Sequence, residues 1–306
     1  MPKPYVSAIA EQFGNWQNHI MLMLVDAATL YYRAFHAVPA SLVDAAGRPN
    51  NAIRGFVDGL RILRDAVRPD TIVACWDEDW RPQWRVDLLP SYKAQRAAQG
   101  DETPEALAPQ VPVIADICRA LGIPVVGAPA MEADDVAAAL AFEAREAVAV
   151  VSGDRDLTQL VDDAAGRRLL YLGTGIGKHT VYDEALVRAT YGVGPQQYAD
   201  LACLRGDPSD GIPGATGIGA KTAALYLNVF GDLEGVLAAA AHATPPISKA
   251  KAEVLLGQSE VLRATQQVVT LRPASVSIPS TPAQPDTAAA LAAEFGWQSA
   301  LQRWQA

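Results

Sequence analysis

Hydrophobic positions along this chain follow two rhythms. Short, wholly apolar runs occupy residues 20–25, 71–76, 123–126, 147–151 and 169–172. Between them lie longer stretches, such as 53–67, 111–121 and 136–144, where apolar residues recur every three or four positions. Short apolar runs set between helical patterns read as buried parallel strands. Their alternation predicts an α/β fold, a mainly parallel twisted sheet flanked by helices. After about residue 195 the strand signal fades. Short helices and Gly-rich turns then predict a helical module over 196–272. Residues 273–285 are rich in Pro, Ser and Thr and read as a linker, followed by an amphipathic helical segment to residue 306. Residues 1–19 show no period and are expected to form a tail before a core spanning 20–195.

Composition narrows the class. Half the residues are hydrophobic, enough for a sizeable core. No apolar run reaches the roughly 18–20 residues that a bilayer crossing needs, so no membrane partner is expected. The start lacks a basic segment followed by an apolar core, which argues against a secretory signal. Cys75, Cys118 and Cys203 are odd in number and far apart among apolar neighbours. They read as reduced core thiols of a cytoplasmic protein, expected to be a monomer. The net charge of −9 at first opposes phosphate binding. Nine acids, however, fall in five short motifs, and setting them aside leaves 25 acids against 25 bases.

Those motifs carry the candidate chemistry. Ligands in an open α/β sheet bind outside the carboxyl ends of the strands. Asp26, Asp77 and the pair Asp154/Asp156 follow three of the apolar runs. Glu132, Asp134 and Asp135 open a helical pattern, and Asp207 and Asp210 lie in Gly206-Asp207-Pro208-Ser209-Asp210-Gly211. Singly, each group has a structural explanation as a helix cap or an Asx-type turn. Together, carboxylates converging at one sheet edge repel one another at low dielectric and call for cations. Oxygen donors without Cys or His sets point to two hard ions, Mg²⁺ or Mn²⁺, rather than zinc. His19, His36, His179 and His242 are dispersed. A pair of such ions supports phosphodiester hydrolysis.

With these motifs in hand, the chain resembles the 5′-nuclease domain of bacterial DNA polymerase I and its flap-endonuclease relatives, as a free-standing 5′–3′ exonuclease. The resemblance runs over about residues 21–271. It is carried by Leu24-Val25-Asp26 with Tyr32-Arg33-Ala34-Phe35-His36-Ala37, by Trp76-Asp77, by Tyr92-Lys93-Ala94-Gln95-Arg96, and by Glu132-Ala133-Asp134-Asp135-Val136. It continues in Ser152-Gly153-Asp154-Arg155-Asp156 and in Gly206-Asp207-Pro208-Ser209-Asp210-Gly211 running into Gly217-Ile218-Gly219-Ala220-Lys221-Thr222. The resemblance implies a PIN-like core, a helical arch over about residues 79–110, and a helix–hairpin–helix that grips the duplex backbone, with K⁺ a candidate there. It implies a first ion on Asp26, Asp77, Glu132 and Asp134 and a second on Asp154, Asp156 and Asp210. Asp135 and Asp207 would act through water or from outside.

The arch stretch also reads as a nucleic-acid surface, since bases contact phosphates and aromatics stack on unpaired bases. By resemblance Lys93 and Arg96 contact the scissile phosphate and Tyr92 stacks on a base. Tyr32, Arg33, Arg81 and Arg85 join the expected DNA contacts, with Gly217, Gly219, Lys221 and Thr222 from the Gly-rich turn. That turn lacks the spacing of a Walker loop, and backbone contacts of its kind position without reading sequence. Expected substrates are DNA with 5′ ends, nicks or 5′ flaps, in repair or primer removal. The alternative is a catalytically inactive protein that binds branched DNA on the same fold.

The chain departs from the family pattern in four places. Ala27 stands where Gly is usual, and Gly211 where Asn is usual. Trp84-Arg85 replaces Phe-Arg after a slightly longer stretch from Asp77, and Ala97-Ala98-Gln99-Gly100 replaces a Pro-rich segment.

Overall fold

The computed structural model describes residues 4–13, 20–98, 103–173 and 175–306. The chain runs through α1 (Pro4–Gln12), β1 (Met21–Asp26), α2 (Ala27–Ala37), α3 (Asn51–Val67), β2 (Thr71–Cys75), α4 (Gln83–Leu88), α5 (Ala94–Ala98), α6 (Gln110–Ala120) and β3 (Val125–Val126). It continues with α7 (Ala133–Glu143), β4 (Ala147–Ser152), β5 (Arg167–Tyr171), β6 (Thr180–Tyr182), α8 (Glu184–Tyr191), α9 (Tyr198–Arg205), α10 (Ala220–Phe230) and α11 (Leu233–Ala241). Last come α12 (Lys249–Gly257), α13 (Ser259–Val269), α14 (Pro285–Phe295) and α15 (Gln298–Gln305).

The strand order is β3-β2-β1-β4-β5-β6. All pairings are parallel except β5 with β6. From β1 the chain steps outward through β2 to β3, then crosses back to lay β4 on the other side of β1. The order therefore reverses between β1 and β4, where a doubly wound sheet opens a crevice beyond its strand ends. Alternate residues of the central strands feed different layers. Met21, Met23 and Val25 pack with α2, α3 and α6. Leu22 and Leu24 pack against α7 and the segment 157–161. Burial on both faces is why these strands are continuous apolar runs. A third cluster, with Tyr198, Tyr226, Leu233 and Leu255, forms the core of the helices from α9 to α13.

The structure corrects three expectations of detail. Residues 1–19 contain a helix rather than only a tail: Ile9 and Phe13 are buried in the main core. Two anchors one turn apart are too few to give a visible period. The expected run 123–126 pairs only through Val125–Val126. The edge strand β6 carried no apolar signal strong enough to be expected. After the extended stretch that follows α13, Gln284 donates to the Ala120 carbonyl at 2.8 Å. There α14 and α15 dock on the face of α3 and α6, burying Trp297 completely. Arg64 lies over the Trp304 ring at 4.3 Å, and Arg303 pairs with Asp58.

A candidate metal centre and nucleic-acid interface

Strand β1 ends in Asp26, which also caps α2: its Oδ1 accepts from the Thr29 amide at 3.0 Å. Its Oδ2 accepts from Thr29 Oγ1 at 2.5 Å and from Ser152 Oγ at 2.6 Å. Ser152 is the last residue of β4, so these bonds lock the two central strands together at the crevice. Beyond β2, Asp77 accepts from the Ala133 amide at 2.8 Å, which joins it to the start of α7. The Glu132 amide, at the start of that helix, donates to the Asp135 carboxylate at 3.1 Å. Asp154 accepts from the Asp156 amide at 2.8 Å in the turn after β4. Asp207 opens the 3₁₀ turn that carries Asp210.

Asp26, Asp77, Glu132, Asp134, Asp154, Asp207 and Asp210 all line one cavity of about 980 Å³. Asp26 and Glu132 are only 6 % and 4 % exposed. Asp156 stands outside the lining, yet the charges of Asp154, Asp210 and Asp207 all act on it. Burial is the leading cause that raises five of the motif carboxyls, Asp77, Asp134, Asp154, Asp156 and Asp210. Asp77 is pushed up to about 6 by burial and then by the Asp26 charge. Asp134 is held well above the usual carboxylate range by burial and by Asp154 and Asp26. Asp154, Asp156 and Asp210 are raised for the same leading reason, with Lys93 opposing the shift at Asp154 and Asp210.

Cations of the chain itself meet this negative charge. Lys93 donates to Glu132 and, at 3.2 Å, to the Trp80 carbonyl. Arg96 donates to Asp210 at 2.7 Å, and Arg155 to Asp207 at 3.4 Å. As these side chains stand, no three acidic, His or Cys groups among the described residues converge tightly enough to share one ion. Asp26, Asp77, Glu132, Asp135, Asp154, Asp207 and Asp210 are instead aimed at amides, hydroxyls, an ammonium or guanidinium groups. The donor set nevertheless fits hard divalent cations: it is all oxygen, it is crowded enough to raise its own proton affinity, and a lysine ammonium already sits where a cation is needed.

Three residues expected on sequence to contact DNA do other work. The Tyr92 ring is buried, 6 % exposed, among Leu89, Ile212 and Val268, and its hydroxyl donates to Glu132 at 2.8 Å. No base can stack on it there. Arg85 is 4 % exposed and clamps Asp135 with both terminal nitrogens. Arg81 spends its guanidinium on the carbonyls of Tyr92 and Pro90. Tyr32 and Arg33 do line the cavity. Arg33 lies against Gly153, where a Cβ would strike its guanidinium, and its buried Nε has no partner among the described residues. Gly217, Gly219 and Lys221 are exposed, Thr222 is half-buried, and added Cβ atoms at the two glycines would meet open space. The free amides that open α10 are therefore accessible. Sequence reasoning missed Thr29 as a second anchor of Asp26; a Thr three residues after a capping Asp was its available signal.

Residues 21–192 match the family model described as 5′-3′ exonuclease, N-terminal resolvase-like domain. Residues 193–293 match 5′-3′ exonuclease, C-terminal SAM fold. The chain belongs to the 5′-3′ exonuclease family. It is 47 % identical over 295 residues to a 5′-3′ exonuclease of Streptomyces coelicolor, covering 92 % of this chain and 98 % of that one. It is 43 % identical over 306 residues to a 5′-3′ exonuclease of Mycobacterium tuberculosis, covering 93 % and 96 %. The bacteriophage T5 D15 flap endonuclease, crystallised as a pseudo-enzyme–product complex with DNA and metal ions, superposes with a TM-score of 0.66 at 20 % identity, covering 93 % of this chain and 97 % of that one. At that identity the likeness establishes the shared fold. This 5′-3′ exonuclease thus places its acids at the sheet's switch point, with Lys93 and Arg96 directly against them.

Proposed function

We propose that this exonuclease hydrolyses DNA at free 5′ ends, nicks and 5′ flaps with two divalent cations, Mg²⁺ or Mn²⁺, in repair or primer removal. The observation that carries the reading is one cavity lined by seven of the nine motif carboxylates and faced by Lys93 and Arg96. A site built only to bind DNA is better served by fewer negative charges, so the inactive-binder alternative leaves the cluster without a purpose. Asp26, Asp77, Glu132 and Asp134 would hold one ion and Asp154, Asp156 and Asp210 the other, with Asp135 and Asp207 outside. Such ions, when bound, supply activation of water and neutralisation of the leaving oxygen.

The chain's own groups do the rest. Lys93, which bonds Glu132, would hold the scissile phosphate. Arg96, which bonds Asp210, would share that charge. Glu132 stays oriented by Arg85 and Tyr92, and Asp26 by Thr29 and Ser152. The open amides before α10, with Gly217, Gly219, Lys221 and Thr222, hold the duplex phosphates, and the turn's carbonyls suit K⁺.

The test is a 5′-labelled flap DNA incubated with Mg²⁺ or Mn²⁺. Metal-dependent cutting near the junction is expected, and Asp134→Ala or Asp154→Ala should abolish it while gel-shift binding survives. DNA retarded but uncut by the wild-type protein would establish the binder instead, and full activity in either variant would remove the carboxylate assignment.

A further inference from the structure

Trp80 is the only tryptophan among the described residues that is exposed, at 43 %. Its neighbours are fixed. The Asp79 amide donates to Met131 at 3.3 Å, and the Arg81 amide donates to Asp79 at 3.1 Å. The Arg81 guanidinium bonds the carbonyls of Tyr92 and Pro90. The Trp80 carbonyl itself accepts from the Lys93 ammonium at 3.2 Å. A loop held at five points therefore presents a large apolar ring at the rim of the carboxylate cavity, which Trp80 helps to line.

The other described indoles all have company. Trp76 packs on Tyr31 at 5.8 Å between ring centroids, and Trp84 donates to the Ala130 carbonyl. Trp304 lies under Arg64, and Trp297 is wholly buried. Among the described residues the Trp80 ring has no hydrogen bond and no ring contact. An aromatic held rigid in water beside a phosphate-binding ammonium has the make-up of a stacking platform, because every base offers a π-face whatever its identity. A strand whose phosphate meets Lys93 carries its adjoining base past the indole of the residue whose main-chain carbonyl holds that same lysine.

We propose that Trp80 stacks on an unpaired base of the 5′ strand beside the phosphate to be cut. It is a positioning residue that favours substrates with an unpaired 5′ arm over blunt duplexes. The role expected of Tyr92, which is buried, falls to this residue. The proposal rests on the nuclease reading above but is tested without hydrolysis.

The probe is a 5′-overhang duplex with 2-aminopurine at the unpaired nucleotide next to the junction, titrated in EDTA and in Ca²⁺. Binding by wild-type protein should quench its fluorescence, and Trp80→Phe should retain most of the quench. Trp80→Ala should lose it, and its affinity ratio for overhang over blunt duplex should fall about 5- to 150-fold, the value of one base stack. In turnover assays the same loss should appear in KM for the overhang substrate. No quench in the wild type, an equal quench in Trp80→Ala, or an equal affinity loss on both duplexes would overturn the proposal. Quenching that behaves as described in a protein that cuts nothing would instead sink the nuclease reading alone.

Discussion

Arg85 shows how burial reassigns a side chain. On sequence it belongs to a basic, aromatic stretch and reads as a DNA contact. In the structure its terminal nitrogens bond Glu132 at 2.9 Å and Asp135 at 2.9 and 2.7 Å, and its Nε bonds the Val268 carbonyl at 3.1 Å. Removing one member of such a buried group leaves the other charges unpaired, at about 3–5 kcal/mol. Arg85→Met should therefore lower stability by about that amount in urea unfolding. Arg85→Lys should not restore it, because an ammonium cannot reproduce the planar fork. Arg96 pairs with Asp210 while its own side chain is 40 % exposed, so Arg96→Met should cost less than about 1 kcal/mol. A stable Arg85→Met protein that had lost DNA affinity would return Arg85 to the surface role.

The approach of residues 91–93 to the cavity rests on one glycine. Gly211 has φ 71°, and a Cβ there would run into the Ser91 carbonyl. The close approach lets the Lys93 amide donate to the Asp210 carbonyl at 2.9 Å, which sets the arch lysine and a cavity carboxylate side by side. Asn, usual at this position in the family, accepts the left-handed backbone, but its Cβ would meet the same obstacle here. Gly211→Ala should push residues 91–93 away from the 207–211 turn. We expect at least a tenfold loss of hydrolysis with an unchanged circular dichroism spectrum. Gly47→Ala is the control, since Gly47 has φ 81° with nothing near its Cβ; it carries backbone strain alone and should keep its rate. Equal rates in both variants would dissociate the arch from Gly211.

Across the whole molecule, the crowded acids trade stability for affinity. Asp77 rises from 3.8 to about 6. Between those values the folded chain holds a proton that the unfolded chain has released. The stabilisation from this group is therefore complete below about pH 4 and is lost as pH climbs through 6, up to about 3 kcal/mol in all. Asp77→Asn keeps an acceptor for the Ala133 amide and has no charge to form. In EDTA, its melting temperature relative to wild type should climb between pH 4 and pH 7. A constant difference across that range would show that Asp77 is not desolvated. Divalent cations compete for the same oxygens, so their stabilising effect on the wild type should grow over the same window.

The alternation of apolar runs with helical periods determined the α/β class by itself, because strands buried on both faces must be apolar throughout. It also put the acids at strand ends, since chain order there is enough to predict location. The motifs in their order sufficed to name the family, each being local in the chain. Other features were settled only by tertiary packing. Tyr92 and Arg85 turned inward because helices α9 and α13 and the carboxylates of α7 close over them, and no local pattern announces a distant partner. Trp80 stayed outside because its loop is pinned from both sides. The N-terminal helix was hidden in the sequence because it buries only a few side chains, and the place where the expected C-terminal helices dock was settled only by the surface assembled from α3 and α6.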